Sequence, residues 1–157
     1  MGGRYTVDEK EIDREASGIF GFRPFFGGQF APISTDASFE EFSPRVILNW
    51  KMNENISAYT SWSRGFQAGA FQGFALFPTA ALTPIPETIV DSYEAGVKAS
   101  LFDGRLNAQI TAFQADYDEL PTTQFSSGTD GILEATTFDA QLRGVEFEIN
   151  ATPIDGL

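Results

Sequence analysis

Residues 87–120 constrain the fold more than any other stretch, because they read as two long strands joined by a short turn. From 92 to 101 apolar and polar residues alternate, the period of a sheet with one apolar and one polar face. The alternation lasts for about ten residues, the length that a tilted strand needs to cross a bilayer. Strands of soluble domains are shorter, at about five or six residues. The hairpin therefore indicates a membrane-spanning sheet.

The turn of this hairpin is predicted at Asp103-Gly104, because both residues tolerate the positive φ of a tight connection. The second strand, 106–117, changes phase after Ala112. Either a β-bulge near Ala112 or the exit of the strand from the bilayer would explain the change. A further bulge is predicted at Gly144, where the last strand, 136–151, also changes phase.

The rest of the chain repeats this organisation. Further strands are predicted at 1–13, 42–51 and 56–66, with a second tight turn at 52–55. Long irregular connections are predicted at 16–37, 67–86 and 121–135. The fold class is therefore all-β, an antiparallel up-and-down meander of about six long strands. Short turns at one end and long loops at the other are typical of outer-membrane barrels, and six strands are fewer than the eight of the smallest ones. The chain is thus expected to be a segment of a large transmembrane β-barrel.

Composition excludes several classes of function. Ten Lys and Arg against 22 Asp and Glu give a formal net charge of -12, which argues against nucleic-acid binding. The chain has no Cys and no His, so thiolate metal sites and the usual hydrolase constellations cannot be assembled. We therefore expect no enzyme activity, catalytic residue, metal ligand or cofactor.

Four residues are candidates for ligand contact. Arg64 lies where a strand approaches the second long loop, and its guanidinium could pair with a carboxylate or an iron chelate. That loop also carries three of the chain's 16 Phe residues, Phe71, Phe74 and Phe77, and exposed apolar patches often mark interaction sites. The alternative roles are anchoring the barrel rim for Arg64 and ordering the loop for the Phe residues.

Charged and amide side chains recur on the polar faces of the predicted strands. They either contact a plug or a substrate, or simply hydrate the polar inner wall of a barrel. These residues are Arg45, Asn49, Lys51, Glu94 and Lys98.

Two other functions fit the same pattern. A free-standing β-sandwich would bury its apolar faces between two sheets and grip a carbohydrate with the Phe-rich loops. A porin-like channel assembled from short chains would keep the lipid-facing surface without energy coupling.

Several segments resemble the barrel domain of TonB-dependent outer-membrane receptors. GGRYTVDEK at 2–10 is similar to the family's G-x-R-Y-T-x-D-x-K strand. Residues 42–71 (FSPRVILNWKMNENISAYTSWSRGFQAGAF), 86–120 and 142–157 (LRGVEFEINATPIDGL) resemble successive later segments in the same order.

This resemblance implies a barrel of about 22 strands with a plug in its lumen. It also implies location in the bacterial outer membrane and contact with its lipid. The expected function is uptake of a scarce ligand such as a ferric siderophore, driven by the inner-membrane TonB complex acting on the plug. Residues 1–157 would then be a partial barrel domain, with the plug and the remaining strands absent from this chain.

Overall fold

The computed structural model describes residues 1–14, 33–71, 83–125 and 133–152, which form two antiparallel sheets. The strands are β1 (Gly2–Arg14), β2 (Ile33–Lys51), β3 (Ile56–Gln67), β4 (Ala70–Phe71), β5 (Pro84–Ile85), β6 (Thr88–Leu101), β7 (Leu106–Phe125) and β8 (Leu133–Ala151). The large sheet has the order β1-β2-β3-β6-β7-β8, and β4 pairs with β5 in a small hairpin. The predicted six-stranded up-and-down meander is therefore confirmed.

Both predicted tight turns are present. Side-chain hydrogen bonds explain the first, and left-handed backbone conformations explain the second. At 52–55 the side-chain oxygen of Asn53 accepts hydrogen bonds from the backbone N–H groups of Asn55 and Ile56, both at 2.8 Å. At 102–105 the φ angles of Asp103 and Gly104 are 55° and 86°. This is the left-handed conformation that Asp-Gly accommodates most readily.

At the opposite end the strands are longer than predicted. β2 begins at Ile33 rather than at residue 42, and β7 continues to Phe125. The β1–β2 ladder is continuous up to the pair of Arg14 with Ile33, so residues 33–37 are not loop. The composition of these extensions is typical of loops, but backbone pairing with a neighbouring strand holds them extended. Within the predicted long loops, residues 16–32, 72–82 and 126–132 lie outside the described residues.

The positions predicted for β-bulges were wrong. Pairing is regular past Ala112 and past Gly144, and the register shift between β7 and β8 lies between Tyr117 and Leu120. The extra residue there is on β7, where Glu119 has a φ of 58°. Its backbone N–H donates to the side chain of Asp139 at 3.3 Å.

The large sheet is a single layer with almost no buried core. Among the described residues three side chains are buried, those of Phe39, Thr88 and Thr111, at 6–7% exposure. A β-sandwich would bury alternate residues of two facing sheets, so the sandwich predicted as an alternative does not fit. No helix in the described ranges is long and apolar enough to cross a membrane.

Candidate functional site

One face of the large sheet, here called the outer face, exposes a band of large apolar side chains. The strand register shows that these residues share one face. They lie in rows of cross-strand partners such as Leu48–Thr60 and Val97–Ile110–Phe147. The most exposed members have 40–68% of their surface accessible: Leu48, Trp50, Val97, Ile110, Val145, Phe147 and Ile149. A contiguous apolar surface of this kind marks an interface with lipid or protein.

The opposite face, here called the inner face, is polar in the half of the sheet nearer the two turns. A hydrogen-bond network is centred on Tyr59, whose hydroxyl donates to Glu94 and lies 3.1 Å from the Thr111 hydroxyl. Gln109 donates to Thr111 at 2.9 Å, and the Lys98 ammonium lies 5.2 Å from the centre of the Tyr59 ring. The network joins β3, β6 and β7 through side chains, so this polar wall is ordered.

A concave pocket of about 550 Å³ opens beside this network, close to the two turns. Asn49, Lys51 and Lys98, which were predicted to line a lumen, are among its lining residues. Glu94 lies further along the same face, and Arg45 shares the face through its pairing with Ser63. The five predicted inner-wall residues therefore share one face of the sheet.

The two faces exchange polarity along the strands. On the outer face of β7, Ala112 is followed by Gln114 and Asp116, while the inner face of the same strand acquires Phe113 and Tyr117. The change of phase seen in the sequence is this exchange, with the strand kept regular. Of the two explanations offered for it, exit from a bilayer fits and a bulge does not.

The limit of the outer apolar band crosses the strands obliquely. Its position on each strand is counted from the row of paired residues through Tyr93. On β8 the limit falls between Val145 and Arg143, one position from that row toward the two turns. On β1 it falls between Val7 and Glu9, seven positions from that row toward the opposite end. At about 3.3 Å per residue and about 4.8 Å between strands, the limit is inclined by about 45°. Strands of transmembrane barrels are tilted by about 35–45°. A level membrane boundary across tilted strands accounts for the slope.

A charged cluster follows this limit on the outer face of β3 and β6, where the membrane-spanning segments end at Trp62 and Tyr93. The Arg64 guanidinium donates to both carboxylate oxygens of Asp91, at 3.1 and 2.7 Å, and the Trp62 indole N–H donates to the same carboxylate at 3.1 Å. The hydrogen bonds from Arg64 hold the pKa of Asp91 below its usual value.

The neighbouring carboxylate of Asp116 is also held by donors. Gln141 donates to it at 2.7 Å and Gln114 at 2.9 Å, and these hydrogen bonds lower its pKa. Asp116 and Asp91 are directly opposite each other on paired strands. The amides and the guanidinium therefore offset the repulsion between two adjacent carboxylates.

Comparison with known protein families decides what these two faces belong to. A family model described as "TonB dependent receptor-like, beta-barrel" matches residues 1–154. This chain belongs to the TonB-dependent receptor β-barrel family. The outer face is accordingly the lipid-facing side of a TonB-dependent receptor barrel, and the inner face is the side that lines the lumen.

Two solved receptor structures are similar to this TonB-dependent receptor chain. One is the alcaligin outer-membrane receptor FauA from Bordetella pertussis, with 23% identity over 79% of this chain and a TM-score of 0.52. The other is the ferric-catecholate import receptor Fiu from E. coli K12, with 15% identity over 98% of this chain and a TM-score of 0.60. The chain spans 23% of the length of each of them. At these identities the similarity shows a shared fold.

The predicted ligand contacts fall in different places. Arg64 lies on the lipid-facing side of the receptor wall, with its guanidinium bound by Asp91. Phe71 lies in β4, opposite Pro84 of β5. Phe74 and Phe77 lie outside the described residues. Contact of these four with a ligand stays a prediction.

Two contacts that hold the β4–β5 hairpin against the receptor wall have no signal in the sequence. The Lys10 ammonium donates to the backbone carbonyl of Gly69 at 2.7 Å, and the Phe39 ring lies against Gly69. Lys10 lies in β1 and Phe39 in β2, and both strands are distant from this hairpin in the sequence. A lysine in an alternating charged run, such as Lys10, gives no sign of a distant backbone partner.

Proposed function

We propose that this chain is part of the barrel wall of a bacterial outer-membrane receptor that takes up a ferric siderophore, driven by the TonB complex. The observation that carries the proposal is the family match over residues 1–154. Similarity to an alcaligin receptor and a ferric-catecholate receptor favours a siderophore over other scarce ligands. The family consists of receptors and transporters, so the proposed role is transport rather than catalysis.

The same proposal makes residues 1–157 a partial barrel domain of a longer receptor. Among the described residues, β1 and β8 each pair with one neighbouring strand, so each leaves an open edge. In a closed barrel every edge is paired. The partners proposed for the complete receptor are outer-membrane lipid on the outer face, a plug domain on the inner face, and the TonB complex acting on the plug.

Ligand contacts are proposed for Arg64, Phe71, Phe74 and Phe77. Support is strongest for Phe71, because the hairpin that carries it is held to Lys10 and Phe39 on the lumen-facing side. Arg64 lies on the other side, so its proposed contact requires a ligand group that reaches the barrel rim.

Uptake of iron tests the proposed function. The complete gene, expressed in a strain that lacks its own siderophore receptors, should restore growth on a ferric siderophore as the sole iron source. Radiolabelled iron should enter the cells from that siderophore, and deletion of tonB should abolish the uptake. A panel with hydroxamate and catecholate siderophores separates the two chemical classes.

The result that would overturn the proposal is the absence of uptake for every siderophore in the panel, although the receptor is folded in the outer membrane. Uptake that persists without TonB would instead favour the porin-like channel.

Phe71→Ala should weaken siderophore binding without changing the amount of receptor in the membrane.

A further inference from the structure

The few buried side chains of this one-layer sheet mark where something covers it. On the inner face a side chain is buried either by its neighbours in the sheet, as Thr111 is by Tyr59 and Gln109, or by a second layer. Two of the three buried side chains in the described residues are Phe39 and Thr88. Phe39 lies against Gly69, and Thr88 directly follows Glu87, so both adjoin the described ends, 68–71 and 83–87, of the segment that connects β3 to β6.

The part of this segment that follows β3 is held against the wall at Gly69. Gly69 is itself buried, and its carbonyl accepts the hydrogen bond from Lys10 at 2.7 Å. A Cβ atom added at Gly69 would lie 2.2 Å from the carbonyl oxygen of Ile85 and 2.4 Å from the Phe39 ring. Only glycine fits between the ring and this carbonyl, so the hairpin is in close contact with the wall.

The part of this segment that precedes β6 is held to β7 by a hydrogen bond at the first residue of β6. The hydroxyl of Thr88 donates to the backbone carbonyl of Glu119 at 3.0 Å. Glu119 is the extra residue of the β7 bulge, with a φ of 58°. A bulge re-aims the groups around it. Here a buried hydroxyl joins the bulge to the base of the connecting segment.

We propose that Lys10 and Phe39 anchor the β4–β5 hairpin to the inner face and thereby position Phe71 toward the ligand. Lys10 is a positioning residue, since it acts through the Gly69 carbonyl. The ligand part of this inference rests on the proposed siderophore uptake. The anchor itself rests on the contacts of Gly69 with Lys10, Phe39 and Ile85.

The hydrogen bond from Lys10 should decide whether the hairpin stays against the wall. Its donor is charged and half-buried, and its acceptor belongs to a buried residue. Hydrogen bonds of charged groups are stronger than neutral ones. Loss of this one should shift the ratio of docked to undocked hairpin by about ten- to a hundredfold.

Spin labels on the complete receptor measure docking directly. The chain contains no Cys, so Ala70→Cys in the hairpin and Glu54→Cys in the first turn give one labelled pair, once cysteines elsewhere in the receptor are replaced. The distance distribution should be narrow with Lys10 present, broad in Lys10→Met, and narrow again in Lys10→Arg, which keeps a charged donor. An equally narrow distribution in Lys10→Met would overturn the anchor.

Siderophore affinity of the same purified receptors tests the positioning role. Lys10→Met should weaken binding by about the factor by which it lowers the docked fraction of receptor, and Lys10→Arg should restore the affinity. Arg143→Met removes a cation from the exposed outer face and should change neither measurement. Normal affinity with an undocked hairpin would overturn the role of Lys10 in positioning Phe71. Failure of the wild-type receptor to bind any siderophore would instead overturn the proposed uptake, and the distance measurement would still decide the anchor.

Discussion

Single glycines on the inner face set how closely aromatic rings approach the sheet. A Cβ atom at Gly96 would lie 2.6 Å from the Tyr59 ring and 2.9 Å from the backbone carbonyl of Ile110. The ring cannot swing away without breaking the hydrogen bonds of its hydroxyl to Glu94 and Thr111. The glycine therefore contributes to the polar network by admitting the ring that carries its central hydroxyl.

Substitution of Gly96 by alanine should destabilise the complete receptor by about 1–3 kcal/mol, the usual cost of overpacking. Thermal unfolding in detergent measures the effect. Gly2→Ala is the control, because a Cβ atom at Gly2 has no neighbour within 4 Å. Equal unfolding temperatures for the two variants would show that the ring at Tyr59 yields freely.

The Asp91 carboxylate makes the stability of the wall dependent on pH. Its pKa in the folded protein is lower than that of a free aspartate, because Arg64 donates hydrogen bonds to it, so its ionised form stabilises the fold. That contribution is fully present above about pH 4 and is lost as the pH falls through the folded pKa. Wild type should exceed Asp91→Asn in stability at neutral pH, and the difference should shrink on acidification below about pH 4.

Unfolding temperatures of both proteins, measured from about pH 2 to about pH 7, give this difference directly. The range spans the pKa of a free aspartate, at about 4. A difference that stays constant over the range would contradict the role assigned to the ion pair with Arg64. Comparison with Asp91→Asn removes the contribution of the many other carboxylates, since both proteins share them.

At the level of the strand, adjacent residues face different surroundings. Phe147 is 68% exposed on the outer face, in the row of Val97 and Ile110 near the middle of the apolar band. Glu148, the next residue, faces the polar pocket on the inner side. Phe147→Arg should therefore cost about 2–4 kcal/mol, as for a cation at the bilayer midplane.

Glu148→Arg places the same side chain one residue further along the strand and should cost much less, because it faces a polar lumen. Reversible unfolding in lipid vesicles compares the two variants. Similar costs would contradict the assignment of the two faces.

The strand ends near the two turns follow from the sequence, and those at the opposite end do not. Strict alternation and Asp103-Gly104 identify one end of the hairpin, because lipid on one side and a polar lumen on the other enforce a period of two. Beyond the apolar band that requirement ends. The extension of β2 from Ile33 and of β7 to Phe125 is maintained by pairing with a neighbour, which composition does not report.

The candidate site was less predictable than the fold. Its charge and position make Arg64 a candidate for ligand contact, but its side of the sheet depends on register, and its partner Asp91 lies 27 residues away. The contact of Lys10 with Gly69 spans 59 residues and ends on a backbone carbonyl, which has no sequence signature. The aromatic composition of 67–86 pointed to this Phe-rich segment, but the residues that hold its two ends, Lys10, Phe39 and Thr88, lie outside it.

At the scale of the whole molecule, the open edges of β1 and β8 predict how the isolated chain behaves. Unpaired edges recruit other strands, and the outer face needs an apolar environment. The isolated 157-residue chain should require detergent and should self-associate through its edges. Light scattering with size-exclusion chromatography measures its mass. A stable monomer in plain buffer would contradict both expectations.

The oblique limit of the apolar band also constrains strands that lie outside this chain. A membrane boundary is a plane, and every strand of a closed barrel leans the same way across it. Each neighbouring strand must therefore begin and end its apolar run one or two residues out of step with the strand before it, always in the same direction. The strand beside β8 should leave the membrane earlier along the ladder than β8 does at Val145, and the strand beside β1 should leave it later than β1 does at Val7.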